Sequence, residues 1–270
     1  MNDPLAVKTT SPLKMAVPLI AFLLIAAAWS GYWYYAKGQA QDRLASFEQD
    51  TLALNCNTRD WGGYPFRIHF DCTAPKIIAG NIEASADKLR LIIQAWNPNH
   101  MLGAIFGPVT LNGLTLSGDT IRFSYRTSEG KLAIASLLGE NQSVTLPGGQ
   151  TIKIEKVQAH SRPQPDQASR VQLAATVSQL ALDDLRLDSL KLDGHITPDR
   201  LSTGDGFSLL SEPSNYLDAI WMVQRLTGLD DENMNAAQQI ISPLLKENNN
   251  KLPILRKDGR WFWGPFQISK

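Results

Sequence analysis

The sequence predicts an α+β protein: an N-terminal transmembrane helix, then a large, mostly antiparallel, curved β-sheet with two helices near the C-terminus. Three observations carry this expectation. Ala16–Tyr35, AVPLIAFLLIAAAWSGYWYY, contains no charge, and twenty helical residues at ~1.5 Å rise cover ~30 Å, the hydrocarbon thickness of a bilayer. The middle of the chain is a series of short alternating apolar runs broken by turn dipeptides. Only near the end does helical spacing return, in Asn215–Leu226 and Asp230–Lys246.

The predicted organisation is a cytoplasmic tail (1–15), an anchor (16–35), a helical connector (36–55) and a β-rich domain outside the cytoplasm (56–270). Within the anchor, Pro18 falls in the first turn, where a missing N–H costs least. Trp29, Tyr32, Trp33, Tyr34 and Tyr35 read as an interfacial aromatic belt, and Lys8 and Lys14 place the tail in the cytoplasm. A cleaved signal peptide is the competing reading, because Ala26-Ala27-Ala28 offers small residues at a cleavage point. Both readings export the remainder to a compartment that permits disulfides, a bacterial periplasm in the anchored case. Gly38–Leu54 has helical character, with Leu44, Phe47 and Leu54 roughly on one side.

The two cysteines, Cys56 and Cys72, are too far apart for a redox C-x-x-C and too few for a zinc site. In an oxidising compartment they form one structural disulfide. Between them lies WGGYPFR, residues Trp61, Gly62, Gly63, Tyr64, Pro65, Phe66 and Arg67, a turn that opens a half-buried strand with Phe66, Ile68 and Phe70 inward. Arg67, His69 and Asp71 alternate onto the other face and read as ordinary cross-strand partners.

Further strands are predicted over Lys88–Ile93, Val109–Leu116, Thr120–Tyr125, Lys131–Ala135, Ser143–Leu146, Thr151–Val157 and Arg170–Val177. Trp96–Phe106 and Ser161–Ala168 read as loops. The leucines of Leu180–Ile196 fall at gaps of two and three: Leu180, Leu182, Leu185, Leu187, Leu190 and Leu192. These scatter around a helix, so the expectation is a long twisted strand with bulges or tight turns at Asp183-Asp184 and Asp188-Ser189. Val109, Leu111, Leu114 and Leu116 repeat the pattern around Asn112-Gly113. Together these ten residues form a candidate apolar face. The chain ends in a hairpin, Pro253–Arg256 and Arg260–Ser269, carrying Trp261, Trp263 and Phe266.

Basic and acidic residues balance at 26 each, and no long basic run appears, which gives nucleic-acid binding no electrostatic support. The four histidines are scattered, and no H-E-x-x-H, G-x-S-x-G, P-loop or G-x-G-x-x-G occurs. No metal, cofactor or catalytic residue is expected, and the protein reads as a non-enzyme.

The anchor, the polar helix, the Trp61–Arg67 strand opening, the leucine strand Leu180–His195 and the final Asp-Gly-x-Trp hairpin with Gly264-Pro265 resemble the bacterial domain-of-unknown-function 2125 family. That likeness covers nearly the whole chain and implies no active-site residues. The leucine strand also resembles those of AsmA-like envelope proteins, which place a long apolar-lined sheet in the periplasm. The functional expectation is therefore an inner-membrane, single-pass envelope protein that binds or transfers lipid on an apolar sheet face. The alternative is a non-catalytic adaptor or assembly factor that docks an unidentified protein.

Overall fold

The computed structural model describes residues 12–50, 53–80, 82–128, 131–164, 167–196, 206–211, 251–257, 260–263 and 266–267, with isolated positions 239 and 243. The two late helices predicted at Asn215–Leu226 and Asp230–Lys246 lie outside the described residues. One long helix, α1 (Pro12–Asp50), is followed by a single antiparallel sheet. Helix α1 begins earlier than predicted, so Pro18 lies inside it rather than in its first turn. It also ends short of Leu54: Ala53–Asn55 is a strand, β1, because Leu54 is buried against Phe70 and Cys72.

The sheet has two arms that share one long strand. The main arm starts with β2 (Thr58–Gly62), β3 (Arg67–Thr73), β6 (Lys88–Gln94), β7 (Asn97–Phe106) and β10 (Ile121–Ser128), each paired to the next. It continues through β11 (Lys131–Thr145), β12 (Thr151–Gln164), β13 (Gln167–Leu182), β14 (Leu185–Ile196) and β15 (Gly206–Ser211). The final members are β16 (Lys251–Lys257), β17 (Arg260–Trp263) and β18 (Phe266–Gln267). The side arm is β1, β4 (Lys76–Ala79), β5 (Ile82–Ser85), β8 (Val109–Leu111) and β9 (Leu114–Ser117), and β9 joins the far half of β11.

A crease separates the arms. At Ala74-Pro75, Ala86-Asp87, Gly107-Pro108 and Gly118-Asp119 the chain passes from one arm to the other. Backbone bonds lace these corners: Ala74 N–H donates to Asp87 O (2.7 Å), Ala86 N–H to Pro75 O (3.1 Å) and Asp87 N–H to Phe106 O (3.2 Å). Gly118 has φ +143°, and a Cβ there would lie 2.2 Å from the Asn141 carbonyl oxygen, so only glycine fits. The crease then runs into the long strands. Asn141 and Gln179 hold φ of 50° and 51°, and the ladder passes from Glu140↔Lys156 to Gln142↔Ile154 and from Ser178↔Ser189 to Leu180↔Leu187. Asn141 donates to Asp119 Oδ2 (2.7 Å), and buried Gln142 donates to Asp119 O (2.8 Å).

The crease explains the leucine gaps. Leu180, Leu182 and Leu187 form a buried cluster joined by Val177, Leu185 and Leu190. Residues 177 and 180, or 187 and 190, can share a face only if the strand changes parity between them. The single long bulged strands expected over Val109–Leu116 and Leu180–Ile196 are instead hairpins. Asn112-Gly113 (φ 47° and 87°) makes a primed turn between β8 and β9, and Asp183-Asp184 turns β13 into β14.

Two predicted loops are strands. Trp96–Phe106 is β7 from Asn97 onward, because pairing to both β6 and β10 overrides the turn-forming Asn97-Pro98-Asn99. Of Ser161–Ala168, residues 161–164 belong to β12 and 167–168 to β13, with Pro163 tolerated beside a register shift. Lys131–Ala135 and Ser143–Leu146 merge into one strand, β11.

Candidate functional site

Each β-strand alternates its side chains, so register decides which residues share a face. The pairings place one row straight across the main arm: Trp61, Phe70, Leu91, Gly103, Phe123, Leu137, Ala159, Ala175 and Leu192. Every member is apolar. A second row two residues along carries Ile68, Ile93, Met101, Tyr125, Ala135, Ser161 and Leu173. The row that flanks the first on its other side, on the opposite face, is Asp71, Arg90, Ala104, Arg122, Leu138, Gln158, Thr176 and Lys191, mixed and charged.

The first row and the Met101–Leu173 part of the second floor a groove of about 920 Å³, with Ala40, Arg43 and Leu44 of α1 at one side. Phe123, Leu137, Ala159, Leu173, Ala175 and Leu192 line it, and among the described residues no carboxylate does. Leu137 and Tyr125 remain 37% and 38% exposed, so the side chains of the described residues leave the groove open. Phe123 lies over Gly103, where an added Cβ would come within 2.0 Å of its ring. That glycine is what lets the aromatic ring lie flat on the floor.

Of the candidate apolar face read from the sequence, Leu192 alone lines the groove. Leu180, Leu182, Leu185, Leu187 and Leu190 build the core beyond the crease. Val109, Leu114 and Leu116 are half-buried in the side arm, and Leu111 is 42% exposed. The groove residues went unnoticed because they are spread over many strands, and only register unites them. The one local hint is the small-residue pairing of Ala159 with Ala175, legible only once β12 and β13 are aligned.

Cys56 and Cys72 form the expected disulfide, with Cα atoms 5.4 Å apart. Cys72 is fully buried beside Leu54 and Phe70. The motif Trp61–Arg67 turns out to hold the helix. Trp29 Nε1 donates to Pro65 O (2.9 Å), Trp33 Nε1 to Arg67 O (2.8 Å) and Lys37 Nζ to Trp61 O (3.2 Å). The turn itself needs Gly63, whose φ is +103° and whose Cβ would clash with the Arg67 carbonyl at 2.5 Å. Gly62 leaves room for the His69 ring, and Tyr64 and Phe66 project outward, more than half exposed. Trp33 is only 3% exposed, packed with Ile68 and Ala95. Part of the supposed membrane belt is therefore core, while Tyr34 and Tyr35 stay exposed.

Of Arg67, His69 and Asp71, the last is held by ion pairs to the neighbouring strand. Arg90 grips both Asp71 oxygens at 2.7 Å, and Lys88 approaches at 3.3 Å. The Arg90 hydrogen bonds, against the opposing effect of burial and with help from Lys88, lower the Asp71 pKa from 3.8 to about 2. Donor atoms of Asp60, His69 and Asp71 lie within 4.8 Å of one another. Two cations already occupy Asp71, which opposes a metal there.

A depressed carboxylate pKa stabilises the fold above the unfolded value and loses that effect as pH falls through the folded one. Asp71→Asn is therefore expected to destabilise the protein by about 1–2 kcal/mol near pH 7 and by much less at about pH 2. Urea unfolding of both proteins at the two pH values measures it; an equal difference at both would assign the loss to packing.

Helix α1 contains a stretch long and apolar enough to cross a membrane, almost none of it buried in the protein. Such a helix near the N-terminus serves as an anchor or a signal sequence, and the disulfide indicates an oxidising compartment. No curated protein and no solved structure matches the chain. Residues 33–214 match a family model described as an uncharacterized protein conserved in bacteria, the domain of unknown function 2125, and the chain belongs to that family.

Proposed function

We propose that this chain is a non-enzymatic envelope protein whose groove receives the acyl chain of a membrane lipid. In this reading α1 stays as a single span in a bacterial inner membrane, with the β domain in the periplasm. The observation that carries it is the unbroken apolar row from Trp61 to Leu192, whose Phe123, Leu137, Ala159, Ala175 and Leu192 line a groove that the described residues leave open, bordered by the anchoring helix. Its volume of about 920 Å³ falls in the ordinary range of small-molecule sites, roughly 300–1,000 Å³. Lys8 and Lys14 before the span favour a cytoplasmic N-terminus.

Arg43 stands at the side of a lining that, among the described residues, holds no carboxylate. That bias suits a ligand with an anionic headgroup and an apolar tail.

The test is native mass spectrometry and lipid extraction of full-length protein taken from membranes, beside Ala159→Trp and Ala175→Trp. Each tryptophan would fill the floor between Leu137 and Leu192. The parent is expected to carry lipid and both variants to lose most of it, with circular dichroism unchanged. A lipid-free parent would remove this reading and leave the protein-docking alternative.

A further inference from the structure

We infer that the turns at Tyr64–Phe66 and Ala95–Trp96 form a second membrane contact, an aromatic foot resting in the headgroup layer beside the point where α1 leaves the bilayer. The inference rests on the reading that α1 is a retained span. Tyr64, Phe66 and Trp96 are 55%, 59% and 56% exposed, an unusual amount for large aromatics that sit together. They do sit together: Phe66 lies 6.3 Å from Trp96 and 6.3 Å from Trp29, ring centre to ring centre. Tyr64 meets Trp33 edge-on at 5.5 Å, and its hydroxyl shares a hydrogen bond with Ser30 Oγ at 2.8 Å. Tyr32 donates to the Ala95 carbonyl at 3.0 Å, fixing the second turn to the same level. The foot is thus locked to the helix at residues 29–33.

That level can be placed against a bilayer. Lys14 cannot lie in hydrocarbon, and ~30 Å of hydrocarbon counted from it takes up ~20 residues of helix. The far boundary then falls close to Tyr34, at or just beyond the foot. Were the domain held clear of the membrane, the helix would leave the last part of its charge-free stretch in water and span a shortened core. Lowering the foot to the headgroups removes that conflict. The chemistry agrees: aromatic side chains favour this layer, neither turn tip carries a charge, and the exposed Arg67 beside it suits anionic headgroups. Exposed Tyr34 and Tyr35 on α1 complete a band at one height. Two contacts, helix and foot, fix how the domain stands on the membrane. The α1 side of the groove at Leu44 is then held ~16 Å above Trp33 along the helix axis.

The test uses single-cysteine variants of the full chain, Phe66→Cys and Trp96→Cys, with the native disulfide intact and each new thiol carrying a nitrobenzoxadiazole fluorophore. Phe22→Cys, within the span, and Pro147→Cys, at the opposite end of the strands, are the references. The proteins are reconstituted into phosphatidylethanolamine–phosphatidylglycerol vesicles containing doxyl-labelled lipid. Labels at 66 and 96 are expected to shift to the blue and to be quenched most by a spin label near the headgroup. The label at 22 should respond to a deep spin label, and that at 147 to neither. Quenching at 22 without quenching at 66 and 96 would overturn the foot and leave the span intact. A mature chain that lacks residue 22 would overturn the span reading, and the foot with it.

Discussion

Phe70→Ala is expected to cost about 3–5 kcal/mol of folding stability, the range for a buried aromatic cut back to a methyl group. Phe70 is 1% exposed and stands where three parts of the molecule meet. Trp61 packs on it at 4.8 Å between ring centres, and the cluster that Phe70 forms with Leu54 and Cys72 gathers Leu89 and Leu91 from the main arm, Ile77 from the side arm and Leu44 from α1. None of these can close the gap without giving up its own contacts, because they are held by five different elements besides β3 itself. Phe70→Leu keeps most of the volume and should cost less than about 1.5 kcal/mol. Denaturant unfolding of the three proteins is the measurement. Equal losses for the two variants would mean that the site collapses freely and is no keystone.

The second large effect is expected from the Cys56–Cys72 bond. The bond closes a loop of sequence separation 16, for which the chain-entropy model gives about 3 kcal/mol. The double variant Cys56→Ala with Cys72→Ala should lose about that much, and somewhat more because Cys72 is fully buried. The loop so closed contains Trp61–Arg67, whose carbonyls accept from Trp29, Trp33 and Lys37. Reduction should therefore loosen the helix from the sheet as well as destabilise the sheet. Unfolding curves with and without reductant, with near-ultraviolet dichroism to follow the tryptophans, test both points. Coincident curves would contradict them.

Much of this was legible in the residues. Two cysteines left one bond to make, and alternating runs between turn dipeptides left an antiparallel sheet to build. The gaps of two and three among Leu180–Leu192 correctly signalled that the strand must restore its face after Asp183-Asp184 and after Asp188. What was hidden is the crease. It depends on left-handed backbone at Ala74, Asn141 and Gln179, and of these only asparagine is a type that favours that conformation. It also diverts β4, β5, β8 and β9 into the side arm, so β3 pairs with β6 and β7 with β10. Those non-sequential pairings are what assemble the groove. Phe70, Leu91, Phe123 and Leu137 each look like ordinary core in their own strand, and only the register brings them into one row. The aromatic cluster at residues 29–35 was misread in part for a related reason: Trp33 has its partner at Arg67, far along the chain.

Photocrosslinking in intact cell membranes probes the apolar groove most directly. A photoreactive amino acid at Ala159 stands on the groove floor, and the same group at Gln158, one residue earlier, faces the other side of the sheet. A lipid adduct from position 159 and none from position 158 is the expected result. Equal lipid yield from both positions, or adducts from 159 to protein alone, would contradict it.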